Sequence, residues 1–132
     1  MKNIRGTIFL ILMVSMGLVA QEIPYTKEMR SAELVAAWTI DLRPTPSAPD
    51  YYQSFTVAEV SGNTFTGTFY GSAIENGYLN ANWARLYFAF TTQDQNNAYY
   101  HSGYLENGQL YGISYCPGRN FTAPWFGTKK ME

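Results

Sequence analysis

A chain of 132 residues, 46% of them hydrophobic, is long enough for one domain with its own core. Nine Lys and Arg against ten Asp and Glu give a net charge of −1, which excludes the basic surface that a nucleic-acid partner demands. One histidine and one cysteine exclude an internal disulfide and a metal site built from a His/Cys cluster, and no cofactor motif is present.

The chain opens on a targeting pattern. Lys2 and Arg5 precede an apolar run from Thr7 to Val19 that ends at Ala20, too short for a membrane span and arranged like a secretory signal peptide. Cleavage after Ala20 leaves seven Lys and Arg against ten acids, a net charge of −3, on a secreted or periplasmic chain with no membrane attachment. Residues 21–35 form a lead segment in which Thr26 or Ser31 caps a short helix, with Tyr25, Met29 and Ala32 on its apolar face.

From Ala36 the pattern switches to period two, with β-branched and aromatic runs separated by Gly, Asn, Pro or Asp clusters. It predicts eight strands: Ala36 to Leu42, Tyr52 to Val60, Thr64 to Tyr70, Ala73 to Leu79, Ala84 to Thr92, Ala98 to Leu105, Gln109 to Tyr115 and Thr122 to Thr128. Asn76-Gly77 falls inside the fourth and reads as a bulge, because a turn there leaves two stubs. Asn107-Gly108 lies between two full strands and reads as a hairpin turn. Gly67, Gly103 and Gly112 share one parity, and strand glycines on one face coil a sheet sharply enough to close it. The expected fold is all-β: an eight-stranded antiparallel up-and-down barrel over residues 36–129, preceded by a short N-terminal helix and followed by a tail at 130–132.

Ala36-Ala37-Trp38 on the first strand, Phe65-Thr66-Gly67-Thr68-Phe69 on the third, His101-Ser102-Gly103 on the sixth and Trp125 on the last resemble the layout of the calycin barrels. The likeness is chiefly to the avidins and secondarily to the lipocalins, and it covers Ala36 to Lys129. It implies an up-and-down barrel that holds a small ligand at its open end. It does not extend to a biotin site. Ala36 replaces the glycine of the avidin opening, Phe69 the tyrosine that hydrogen-bonds the biotin head, His101 a tryptophan and Ile40 a polar residue, while the late aspartate of the family has no counterpart. The resemblance also implies a closing role for Arg119, stacked on Trp38.

An up-and-down meander sorts the loops by end. Arg43 to Tyr51, Gly71-Ser72, Gln93 to Asn97 and Cys116 to Phe121 share the long-loop end, the expected mouth, while the lead helix closes the floor. Inward parity brings Tyr99, His101 and Ser114 toward the mouth with Cys116 at the rim, Phe69 as an apolar wall, and Arg43 and Arg119 at the entrance. These six, Cys116 aside, are the candidate ligand-binding residues; the competing reading makes the inward set a solid core. No catalytic residues are expected, since Cys116 precedes Pro117 in a loop and nothing places it beside His101. Outward parity collects Tyr87, Tyr100, Tyr104, Tyr111 and Tyr115 with Ile113, an interface for a homo-oligomer or a partner unless the sheet is partly open and the lead helix covers it. Two functions follow: an exported binding module for a small, partly apolar ligand, or a non-catalytic interaction protein using the tyrosine face.

Overall fold

The computed structural model describes residues 17 and 24–131. The expected signal peptide, residues 1–20, lies outside the described residues but for Gly17. Helix α1 (Lys27–Leu34) starts at Thr26, whose Oγ1 accepts the Met29 backbone N–H at 3.2 Å, a side-chain cap on a free N-terminal donor. The expected apolar face is not the buried one: Tyr25 and Met29 are 51% and 45% exposed, whereas Leu34 is fully buried. So short a helix cannot lay a stripe along the wall and docks by its last turn, where the Leu34 carbonyl accepts the Trp38 indole N–H at 3.0 Å.

The strands are β1 (Ala36–Asp41), β2 (Tyr52–Ser61), β3 (Thr64–Phe69), β4 (Ser72–Ala73), β5 (Glu75–Asn80), β6 (Leu86–Gln93), β7 (Ala98–Glu106), β8 (Gln109–Cys116) and β9 (Phe121–Lys129). Segments β4 and β5 both pair with β3 and are one stave interrupted at Ile74, so the wall has eight strands, each antiparallel to its sequence neighbours. β9 pairs with β1 from Trp38↔Lys129 to Asp41↔Phe126 and closes the ring. The partly open sheet is therefore excluded, and α1 sits at the floor, where Arg30 Nη2 donates to the Ala81 carbonyl at 2.6 Å. Among the described residues no helix is long and apolar enough to cross a membrane.

The bulge expected at Asn76-Gly77 is present: Glu75 faces Thr91 but Tyr78 faces Ala89, and Asn76 takes φ 50°. A second bulge is not among the expectations. Val57 faces Gly67 while Glu59 faces Thr66, so Ala58 is extra, and the parity change exposes Glu59 and turns Val60 against the core. The Asn107-Gly108 hairpin forms as expected, with both residues at positive φ. Most strand ends shift by one residue: Tyr70 joins a tight turn with Gly71, Cys116 ends β8 instead of lying in a loop, and the strand expected from Ala84 begins two residues later, at Leu86.

Two glycines explain how the wall closes. A Cβ on Gly67 would lie 1.9 Å from the Thr56 carbonyl oxygen, so the β2 backbone occupies the place of a side chain. A Cβ on Gly112 would lie 2.2 Å from the indole of Trp125, its cross-strand partner, whose ring covers the bare backbone. Phe55 stands at the centre, 5.1 Å from Phe90, 5.4 Å from Phe69 and 6.1 Å from Trp125 between ring centroids.

Because the obstacle at Gly67 is a backbone carbonyl in a ladder, it cannot swing aside. Gly67→Ala is expected to cost about 3 kcal/mol, measured as a drop in the urea midpoint. A loss under about 1 kcal/mol would show that β2 and β3 separate easily.

Candidate functional site

The inward polar residues form one buried network. His101 Nδ1 lies 2.7 Å from Ser114 Oγ and Nε2 lies 2.9 Å from Thr92 Oγ1, while the Trp125 indole N–H donates to Ser114 Oγ at 3.0 Å. All four side chains are 4–5% exposed. Their positions follow from the ladder, in which His101 of β7 stands between Phe90 of β6 and Ser114 of β8. Ser114 faces Ala123, two residues before Trp125. Aromatic rings enclose the imidazole: Phe69 and Phe90 at 4.4 and 4.6 Å, and Tyr99 parallel to it at 6.4 Å.

Burial pushes the His101 imidazole down to about 4, so the ring is neutral and one nitrogen donates while the other accepts. With the Trp125 N–H donating to Ser114 Oγ, the geometry accommodates a head-to-tail order in which Ser114 O–H donates to Nδ1 and Nε2–H to Thr92 Oγ1, an order in which the bonds polarise one another. Chemically this is a brace, tying β6, β7, β8 and β9 together by side chains. Thr92 and Trp125 were missed as members by the sequence reading. Thr92 carries the Phe88, Phe90 inward parity and was readable from it, whereas Trp125 had only its place on the last strand. Among the described residues no group of three His, Cys, Asp or Glu side chains is placed to hold a metal.

The remaining candidates sit apart at the rim. Tyr99 donates its hydroxyl to Asp94 Oδ2 at 2.7 Å and accepts from Arg119 Nη1 at 3.2 Å. The Asn96 and Asn97 backbone N–H groups and the Tyr99 hydroxyl hold the Asp94 carboxyl below its usual range. Arg119 lies over Phe121 at 5.5 Å; its expected place over Trp38 belongs to Lys129, at 5.5 Å, because Lys129 pairs with Trp38 while Arg119 follows β8 at the opposite end. Arg43 grips Asp41 through Nε and Nη2 at 3.0 and 2.7 Å, and this pairing depresses the Asp41 carboxyl. The Tyr51 and Tyr70 hydroxyls hydrogen-bond to each other, which pushes Tyr51 up to about 12. Thus Phe69, His101 and Ser114 come together in the core, Tyr99 and Arg119 meet at the rim, and Arg43 braces its own loop. Cys116 is a free, buried thiol.

On the outside, side chains line up in rows across the strands. The lower row is Tyr87, Tyr104, Tyr111 and Phe126, with Tyr104 stacked on Tyr111 at 5.1 Å and the Arg85 guanidinium over Tyr104 at 4.5 Å. The upper row is Thr91, Tyr100, Tyr115 and Thr122. Between them run Ala89, Ser102, Ile113 and Pro124, smaller on β6 and β7, which leaves a groove of about 500 Å³ with no formally charged residue in its lining. Tyr87, Tyr100, Ile113 and Tyr115 are 42–49% exposed.

The neutral imidazole fixes a pH dependence. The folded pKa lies below the ordinary 6.5, so the unfolded chain binds the extra proton: the stabilisation is complete above pH 6.5 and is lost as pH falls toward 4. The loss is expected to reach roughly 3 kcal/mol at the acid end of that window. Urea midpoints from pH 7 to 4.5 should fall steeply in the natural protein and distinctly less in His101→Gln; equal slopes would mean that the imidazole protonates without penalty.

No family model matches the chain, and no curated protein or solved structure matches it.

Proposed function

We propose that the protein is an exported, non-catalytic interaction module that pairs with a second copy of itself through the tyrosine face of β6–β9. The observation that carries this reading is the uncharged groove beside Tyr100 and Tyr115. Tyrosine offers a large rigid contact with a polar tip, and Ser, Thr and Asn beside it supply adaptable hydrogen bonds, a composition suited to protein contacts. Tyr100 and Tyr115 stand beside a recess floored by Ala89 and Ser102, so one patch carries both projection and depression. That is what a two-fold contact between identical surfaces requires. Absence of charge lets two chains of the same net sign meet there without repulsion at the contact. Export rests on the basic and apolar opening of the sequence, which ends at Ala20.

A second reading, a small partly apolar ligand held at the mouth as in avidins and lipocalins, draws on the Tyr99–Arg119 contact at the rim. To reach His101 and Ser114 such a ligand must part the imidazole from Phe69, Phe90 and Tyr99. The outer face is already open.

Sedimentation equilibrium tests the first reading. The natural chain is expected to dimerise, and Tyr115→Asp to weaken dimerisation at least about a hundredfold by burying an unpaired charge, with the thermal midpoint of the monomer unchanged. A natural chain that stays monomeric, or a variant that dimerises equally well, overturns it.

A further inference from the structure

A different crevice lies apart from the groove on the outer wall. It lies at the floor, between α1, the loop joining β5 to β6 and the turn joining β7 to β8, and encloses about 580 Å³. Its aromatic walls are Tyr25, Trp83 and Tyr87, and Trp83 is 70% exposed, far more than any other tryptophan of the chain. Trp38 and Trp125 are both in the core. A tryptophan left in water beside two further aromatic rings is a surface short of an apolar partner.

Charge in the crevice is distributed unusually. Of its four charged side chains, Arg85 and Glu106 neutralise each other at 3.1 Å. Arg30 and Glu33 do not. They stand three residues apart on α1, the spacing at which opposite charges ordinarily pair, yet they form no ion pair among the described residues. Each is anchored elsewhere: Arg30 Nη2 donates to the Ala81 carbonyl, and the Glu33 carboxylate accepts the Tyr25 hydroxyl. Glu33 Oε1 reaches across to the β7–β8 turn, 3.7 Å from the position of a Cβ on Gly108.

The guanidinium is the less satisfied of the two. It has five N–H donors. Among the described residues its acceptor is Ala81 O, and its Nε is buried with no acceptor at all. A buried donor without an acceptor costs stability and calls for an explanation. The protein itself covers Nε, so a carboxylate seated against Arg30 would use the Nη1 donors, on a guanidinium that already lies over the Tyr25 ring. A carboxylate alone would also meet the negative Glu33 one helical turn away. A ligand with an ammonium group next to its carboxylate turns that repulsion into a second attraction, and an aromatic side chain then has Trp83 and Tyr87 to cover.

We propose that this crevice binds a free α-amino acid with an aromatic side chain, its carboxylate on Arg30, its ammonium group on Glu33 and its ring against Trp83. The site lies outside the barrel and shares Tyr87 with the lower row of the tyrosine face but no residue with the lining of the Tyr100–Tyr115 groove, and its test reads ligand binding, not dimerisation.

Isothermal titration with three related probes tests it. L-Phenylalanine carries both charges, 3-phenylpropanoate lacks the ammonium and 2-phenylethylamine lacks the carboxylate. Phenylalanine is expected to bind, and each truncated probe to bind at least about tenfold more weakly, as the loss of one charge-assisted contact dictates. Arg30→Gln should reduce phenylalanine to the affinity that 2-phenylethylamine has for the natural chain, and Glu33→Gln to that of 3-phenylpropanoate. Trp83→Ala should weaken every probe that binds. Should Arg30→Gln fail to fold because it releases Ala81, Glu33→Gln and Trp83→Ala carry the same test, since the first keeps its polar shape and the second changes a side chain in solvent. No binding of phenylalanine, equal affinity for all three probes, or undiminished binding by the Glu33 and Trp83 variants overturns the proposal.

Discussion

The interior depends on one contact, the indole of Trp125 lying across the bare backbone of Gly112. The ring can take that position because its cross-strand partner has no side chain, and once there it brings its N–H within 3.0 Å of Ser114. Ser114 is thereby engaged on one side by an indole and on the other by His101. The same ring meets Phe55, Phe69 and Phe88, so the polar brace and the aromatic core share a member. A side chain on Gly112 would displace the indole, separate Ser114 from its donor and loosen the packing around Phe55 in one step. The strand glycine is the condition for this core tryptophan to lie flat against the wall.

A buried histidine among phenylalanines is costly unless its nitrogens are satisfied, and here hydroxyls satisfy both. Hydroxyls suit the task better than carboxylates would. A carboxylate would bring a second buried charge and raise the imidazole pKa, whereas Ser114 and Thr92 leave the ring neutral and let burial set its titration. The gain is directional. Phenylalanine packing tolerates small rotations, but a chain of hydrogen bonds running from β9 through β8 and β7 to β6 fixes the register of four strands together. Closure between β1 and β9 then inherits a register already set on one side of the ring.

How much of this could be read from the chain depends on whether the cause was local. The Asn107-Gly108 turn, the Asn76-Gly77 bulge and the Thr26 cap are written in neighbouring residues, and all three form. The period-two pattern placed the inward and outward sets, since parity survives small errors in strand ends. The bulge at Ala58 escaped because its signal, Glu59 followed by Val60, also suits an unbulged strand end, and the extra residue matters only against Gly67 of β3. Helix burial was misjudged for a related reason: the face of α1 is chosen by the barrel floor, and Leu34 is held there by an indole on the next strand. Pairs such as Arg43–Asp41 and Lys129–Trp38 likewise depend on which side chains meet, which periodicity does not carry. The inward histidine is visible in the sequence; that Phe69, Phe90 and Tyr99 stand around it is not.

Closing the barrel also determines where recognition can occur. An open sheet can add a strand at its edge, but here β1 and β9 pair with each other and close the ring. Trp125 and the phenylalanines pack against one another inside the barrel. Aromatic composition differs between the two sides of the wall: Tyr87, Tyr100 and Tyr115 stand on the outer wall and Trp83 projects from the floor loop, while Phe55, Phe88 and Phe90 occupy the core. Hydroxyl-bearing and N–H-bearing aromatics tolerate water in a way that phenylalanine does not. The same ring chemistry is thus divided between two tasks by a single polar atom, with bare rings holding the barrel shut and polar rings facing whatever meets it.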